Sequence, residues 1–547
     1  MNTKFFKYII PALSLVFSVN FTSCLGDLDV TPIDPNLNVE FDQNANFAKI
    51  YAGLAITGNK GPDGQGDIAD TDEGASGLMR MLFNLNELPT DEAICAWSGD
   101  VDVYPLNFAK FTASNGVVLN MFNRLYIQIA QCNNFLIQTE GKDDEESLTQ
   151  RAEVRFIRAL DYYYLIDLYG NVPFVDENTG IGTYVPERIT RANLYTYIEK
   201  ELKEIEPQMK APRANVYGRA DQAAVWMLLS RLYLNAEVYT GDPQWNACIQ
   251  ECDDIINSGK YSLDINYSDP FKAHNENSLE NILVIPYDEI FATGFNYHLA
   301  ALHGANQKTY DLVGSPWGAG AYKGIPQFID TYDPDDERLN ATWLGGPQYA
   351  SDGTPLTGSY DLMGQPLIFV NKMPNGIFTG EAEGYRWLKY EVEMGARSEL
   401  NNDLVLFRLT QVHMMKAECL LRTGKADQAA SIVSMVRKRA FKEHPEKAIV
   451  SGAQLQEKSC YKYGTVENYV LTSQNQVYPE KFGRFYDELG WEFAGESYRR
   501  RDMIRFGHFT KAKWLSHEPN GDYKTVFPLP QKVVDTNPNL EQNPNYQ

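Results

Sequence analysis

From about residue 117 onward the chain repeats one device. An amphipathic helix ends at glycine or proline, and a second helix follows with alanines where the two must touch. The spacing predicts helices over roughly 117–139, 146–169, 190–209, 219–240, 243–258, 403–423, 425–441 and 484–505. In the second of these, Ala152, Phe156, Ala159 and Tyr163 recur at +4, +3 and +4, which stacks them on one face. Gly170 and Pro173 stop that helix, Pro212 follows the third, and Gly241-Asp242-Pro243 ends the fourth. Small residues recur where helices approach closely: Ala152 and Ala159, Ala220 and Ala224, Ala417 and Ala426. Paired units of roughly 34–50 residues resemble tetratricopeptide-type repeats, although no unit carries the full consensus. A chain of this kind is mainly α and buries its core by stacking neighbouring helices.

Between residues 261 and 400 the texture changes. Gly, Pro, Asn and Asp become dense, and apolar runs shorten to Ile282-Leu283-Val284-Ile285 and Leu367-Ile368-Phe369-Val370. This reads as a loop-rich variable region with short strands, and loops held on a rigid scaffold are where binding residues sit. The expected organisation is a leader at 1–23, an acylated cysteine and tether at 24–45, and an N-terminal helical-repeat scaffold at 46–260. The variable region at 261–400 and a C-terminal helical scaffold at 401–547 complete it.

The leader has the layout of a lipoprotein signal peptide. Lys4 and Lys7 precede an apolar run from Ile9 to Val19, which is too short to span a bilayer comfortably. Phe21-Thr22-Ser23-Cys24 then places a small residue before a cysteine, where cleavage would expose Cys24 for acylation. Asp27 and Asp29 follow, resembling the acidic tract that sends lipoproteins of one Gram-negative group to the outer leaflet. The expectation is a protein on the cell outer membrane, lipid-anchored and surface-exposed, touching the membrane through that anchor only.

Loss of Lys4 and Lys7 with the leader takes the net charge from −23 to −25. So acidic a chain disfavours nucleic acid, acidic polysaccharide and anionic membrane faces as partners and leaves neutral or cationic ligands open. Six cysteines remain besides Cys24, none in a CxxC pair; one disulfide would be compatible with export, but no framework is legible.

Several ordered blocks together resemble the SusD/RagB family of outer-membrane nutrient-binding lipoproteins. They are the run from Arg151 to Gly170 with Val172-Pro173-Phe174, Gly218-Arg219-Ala220 with Arg231 to Asn235, and Phe407-Arg408-Leu409 with Lys416-Ala417-Glu418. Glu496 to Gly507, Phe527-Pro528-Leu529-Pro530 and the Asn-Pro-rich tail from Asn537 to Pro544 continue the match. The resemblance implies a SusD-like scaffold of helix pairs. It also implies a binding protein that holds glycan above a TonB-dependent, SusC-like outer-membrane porin. Most of these blocks read as structural. Arg151, Arg155 and Arg158 form a basic stripe spaced to pair with acids, and Arg499, Arg500 and Arg501 are expected to pair with Asp487, Glu488 and Glu492.

A neutral sugar offers hydroxyls and flat C–H faces, so its site needs exposed aromatic platforms with a few polar groups beside them. Trp226, Trp245 and Trp491 lie in helical surroundings and read as packing residues. Trp97, Trp317, Trp343, Trp387 and Trp514 lie in polar or Gly-rich surroundings, where a large ring calls for a use. The stretch from Asn84 to Trp97 resembles that of the family's starch-binding prototype, in which the matching tryptophan belongs to an aromatic arc. By that resemblance Trp97, Trp317 and Tyr297 form the arc, and Asp72 and Arg80 bond hydroxyls from its flank. Asp100 stands near the place where the prototype has asparagine, a departure that bears on which sugar is held.

No HExxH, GxSxG or Walker pattern occurs, and no carboxylate pair is fixed by spacing. The acidic segment from Asp67 to Gly74 lacks EF-hand spacing; a structural calcium there is compatible with the sequence, and no cofactor is required. The sequence therefore points to a non-enzymatic, cell-surface binder of neutral oligosaccharide or polysaccharide. The competing expectation is a peptide-binding member of the same family serving an outer-membrane peptide transporter.

Overall fold

A computed structural model describes residues 41–58, 66–69, 74, 76–179, 185–376, 378–475, 479 and 481–546. The leader and Cys24 lie outside these residues. The chain divides into residues 1–46 and a large unit, 47–547; of the first, residues 41–46 are described.

The large unit is mainly α. Its scaffold is a row of helices: α1 (Gly116–Gln138), α2 (Glu145–Leu168), α3 (Arg191–Ile205), α4 (Gln222–Leu234) and α5 (Trp245–Asn257), continued by α6 (Leu409–Arg422) and α7 (Ala426–Arg437). Each packs on the next, so the repeat pattern runs on in space. Between α5 and α6 the sequence leaves the row for some 150 residues, yet these two helices pack directly on each other. The looped region is thus spliced into an unbroken helical stack.

The helices start where the chain offers caps. Asn115, Asp144, Thr190 and Asp221 each accept a hydrogen bond from a backbone N–H in the first turn of α1, α2, α3 and α4. Glu145 and Glu146 add negative charge at the positive end of α2. From Ala152 to Leu168 this helix is buried on almost every side, because α1, α3 and α4 pack on it and Phe527 donates its N–H to the Leu168 carbonyl at its end.

Two expected helices differ. Residues 404–408 form a strand that pairs antiparallel with Asn281–Ile285 in a two-stranded sheet; all five are buried, which suits a strand covered on both faces better than a helix with one wet face. The expected helix 484–505 is two helices, α8 (Gly483–Phe493) and α9 (Arg499–Arg505). Gly495 and Ser497 take left-handed backbone angles between them, φ 77° and 66°.

The arginine pairs also differ from expectation. Arg155 and Arg158 do meet acids, Glu201 at 2.7 and 2.8 Å, but Arg151 donates to the Leu136 carbonyl and the Thr139 hydroxyl. Arg499 pairs with Asp91 and Arg500 with Asp167, while Arg501 donates to the Ser497 carbonyl. Glu488 and Glu492 are taken by other cations. Arg338 reaches Glu488 at 2.7 Å; Arg408 and Arg439 reach Glu492 at 2.9 and 2.7 Å. Arg408 also bridges Glu280 and Glu496, at 2.8 and 2.7 Å. Arg338 and Glu280 come from the spliced region, so this buried network joins it to the helical stack. Among the described residues the cysteines are free: Cys95, Cys132, Cys248, Cys252 and Cys419 buried, Cys460 exposed.

Candidate functional site

The site is built on one end of a small sheet. Ala93–Cys95 (β1) pairs antiparallel with Tyr322–Gly324 (β2), with Cys95 opposite Tyr322. Ala96 continues the pairing by donating to the Ala321 carbonyl at 2.9 Å. Antiparallel pairing sets the end of one strand beside the start of its partner. Trp97 follows β1 and Trp317 precedes β2, so two rings 220 residues apart in sequence arrive side by side. Their centroids lie 6.0 Å apart with planes inclined at 42°.

The surrounding residues hold this pair rigid. Asn107 clamps the outer edge of β1, accepting from the Cys95 N–H at 2.9 Å and donating to its carbonyl at 2.8 Å. Trp317 donates its backbone N–H to the Leu299 carbonyl at 2.7 Å, which ties its loop to the short helix Tyr297–Ala301. Below the rings, Tyr322 is fully buried, 6.1 Å from the Trp97 ring. Its hydroxyl donates to Asn84 Oδ1 at 3.0 Å.

Arg80 and Asn84 share a face of the helix Leu78–Asn86, four residues apart. Asn84 holds Tyr322, while the Arg80 guanidinium lies 5.6 Å from the centroid of the Trp97 ring and 5.4 Å from that of Trp317. One cation therefore lies within cation–π range of both rings. Arg80 Nη1 donates to the Gly74 carbonyl at 3.0 Å, which fixes the guanidinium in turn. Asp100 closes a turn with Trp97, its N–H donating to the Trp97 carbonyl at 3.0 Å. Its Oδ1 accepts from the N–H groups of Asp102 and Val103, at 2.9 and 2.8 Å. Burial pushes the Cys95 thiol and the Tyr322 phenol each up to about 12, so both are neutral beneath the platform.

The structure brings together Trp97, Trp317, Arg80 and Asp100. Trp317 is 36% exposed and Trp97 is half-buried, as platform rings must be. Asp72 lies outside the described residues. Tyr297 does not join the platform: it is buried, packs against Phe83, Phe295 and Trp387, and donates its hydroxyl to the Met79 carbonyl at 2.8 Å. Trp343, Trp387 and Trp514 are buried too, the first two in strands of the same sheet. Trp226 is half-buried, with its indole N–H donated to Glu206 at 2.8 Å. Tyr322 was not anticipated; its only signal is a place opposite Cys95 once the strands are paired. Among the described residues no group of His, Cys, Asp or Glu is arranged to hold a metal ion, and Asp67 of the acidic segment pairs with Arg124 at 2.6 Å.

The comparisons with known proteins agree with this frame. Residues 274–546 match the SusD family, and residues 28–234 match a family described as starch-binding and associating with the outer membrane. The starch-binding protein SusD of Bacteroides thetaiotaomicron is 32% identical over the whole of both chains. The SusD-like protein P25 of Formosa agariphila is 24% identical, covering 80% of this chain and 81% of its own. Among solved structures, surface glycan-binding protein A of B. thetaiotaomicron in complex with laminarihexaose has the same fold. Its TM-score is 0.66 at 20% identity, covering 92% of this chain and 98% of its own. With full-length identity to SusD and matched blocks in both halves, the chain belongs to the SusD family.

Proposed function

We propose that this protein captures a neutral oligosaccharide or polysaccharide by stacking it on Trp97 and Trp317, and passes it to a TonB-dependent, SusC-like outer-membrane porin. The carrying observation is the pair of accessible indoles, 6.0 Å apart at 42°, with a single guanidinium in cation–π range of both. Sugar C–H faces complement such a surface, and Arg80 and Asp100 lie at its margin to meet hydroxyls. The relatives support the ligand class: one is named starch-binding, another was solved with laminarihexaose.

In this reading the protein binds and does not cleave, and it needs no cofactor. Acylation of Cys24 holds it on the outer membrane. Among the described residues no helix is long and apolar enough to cross a membrane. Weak affinity at one platform suffices, because many copies on one cell engage one long polymer.

The test is calorimetric titration of residues 25–547 against a panel of neutral polysaccharides, with Trp97→Ala alongside. Stacking energies imply a loss of more than about tenfold in the variant, with the melting temperature unchanged. No binding to any polysaccharide by a folded sample would move the reading to peptide.

A further inference from the structure

The burial of Tyr297 leaves two rings where three were expected, and the structure supplies another on the Trp317 side. Tyr360 is 56% exposed. Its hydroxyl reaches Gly318, the residue after Trp317: a Cβ on that glycine would lie 3.9 Å from the Tyr360 oxygen.

Tyr360 is not a loose surface ring. Glu381 is buried beneath its loop and gathers the backbone N–H groups of Ser359 at 2.8 Å, Tyr360 at 3.1 Å and Leu362. The same carboxylate faces His303 Nε2 at 2.9 Å. His303 Nδ1 accepts from the Ala305 N–H at 3.0 Å, so the imidazole proton sits on Nε2 and is donated to Glu381. The His303 ring also meets Tyr360 edge-on, with centroids 5.9 Å apart at 75°. An aromatic ring held on a fixed backbone and left open to water loses little conformational entropy when a ligand covers it.

We propose that Tyr360 is a further platform of the same site, lengthening it beyond Trp317 so that a longer glycan is held by more of its residues. This rests on the glycan reading above. A short oligosaccharide would occupy Trp97 and Trp317 alone, whereas a longer one would reach Tyr360. Glu381 is then a positioning residue, acting through the loop it pins.

The experiment is titration of maltooligosaccharides and laminarioligosaccharides of increasing length into the wild type, Trp97→Ala, Tyr360→Ala and Tyr360→Phe. The expected result is loss in Trp97→Ala at every length. Tyr360→Ala should bind short members as the wild type does and long members up to about tenfold more weakly, one stacked ring's worth. Tyr360→Phe, which keeps the ring, should match the wild type throughout. Equal affinities of Tyr360→Ala and wild type at all lengths, or an equal loss at all lengths, would overturn the role of Tyr360 and leave the Trp97 site standing. Failure of the wild type to bind either series or any other neutral polysaccharide of the panel would instead remove the glycan reading, and this proposal with it.

Discussion

Arg499 donates to Asp91 through two hydrogen bonds, Nε to Oδ1 at 2.7 Å and Nη2 to Oδ2 at 3.1 Å, and both side chains are buried. The two residues are 408 positions apart. Asp91 lies just before β1, which leads into Trp97, so this pair fastens the binding segment to the short helix α9. The hydroxyls of Tyr463 and Tyr486 complete the carboxylate's shell, at 2.7 and 3.1 Å from Oδ2. Burial alone would raise the Asp91 pKa; the Arg499 charge outweighs it and holds the carboxyl below its ordinary value.

Removing one partner leaves a buried charge without its complement. Arg499→Met is therefore expected to cost about 3–5 kcal/mol in unfolding free energy. The double variant Arg499→Met, Asp91→Asn should regain part of that loss, because neither charge remains. Urea unfolding of the single and double variants checks this. A single variant within about 1 kcal/mol of the wild type would show that the pair does not fasten the segment.

A second buried acid site gives a pH dependence. Glu87 and Glu92 are buried near each other in the core beside Arg499, which reaches Glu92 at 3.3 Å. Burial pushes Glu87 up to about 8 and Glu92 well above its ordinary value, the latter raised further by Glu87 itself. Two buried carboxylates so close cannot both ionise cheaply, so one carries a proton, and one unmatched oxygen on each is buried. The folded pKa lies above the unfolded one, so the stabilising contribution is complete below about pH 4 and is lost as pH rises through about 8. The urea midpoint should thus fall between about pH 5 and pH 8, and Glu92→Gln, a permanently neutral partner, should flatten that fall. An unchanged slope in Glu92→Gln would remove the shared proton from the account.

Helix positions were legible because they depend on neighbours in sequence: Asp144 before Glu145, or Gly424 after Arg422, acts over one turn. Long-range choices were not legible. Nothing near Arg499 names Asp91, and of the acids upstream Glu488 and Glu492 were already claimed by Arg338, Arg408 and Arg439, and Asp487 by Arg484. Tyr297 shows the same limit. Its local surroundings, Gly294 to His298, are those of an exposed loop; its actual neighbours, Phe83 and Trp387, come from segments about 200 and 90 residues away. Family resemblance alone set Trp97 beside Trp317; the structure places their rings 6.0 Å apart, and the physical cause, antiparallel pairing of Cys95 with Tyr322, becomes visible only with the register.

The break between α8 and α9 carries its own prediction. Gly495 sits at φ 77°, and a Cβ there would lie 1.9 Å from Trp387 Nε1. Trp387 is itself buried under Phe83 and Tyr297, so it has nowhere to withdraw. Gly495→Ala should destabilise the fold by at least about 1–3 kcal/mol, from overpacking added to left-handed strain. Differential scanning calorimetry measures it, and an unchanged melting temperature would mean that the indole is free to move.

The final prediction separates two roles for Arg80. The chain carries a formal charge of −23, yet its platform is two indoles with one guanidinium lying over both. If the ligand is neutral, Arg80 acts by its cation–π contact with the rings and by meeting hydroxyls, not by attracting charge. Affinity should then change less than about twofold between about 0.05 and 0.5 M salt, because no ligand charge is there to be screened. Arg80→Ala should weaken binding while keeping that flat dependence, and Arg80→Lys should not restore it, since an ammonium cannot lie flat against two π-faces as a guanidinium does. Calorimetry at the two salt concentrations decides the matter. A steep salt dependence in the wild type that disappears in Arg80→Ala would assign the guanidinium to an anionic ligand and exclude the neutral glycan.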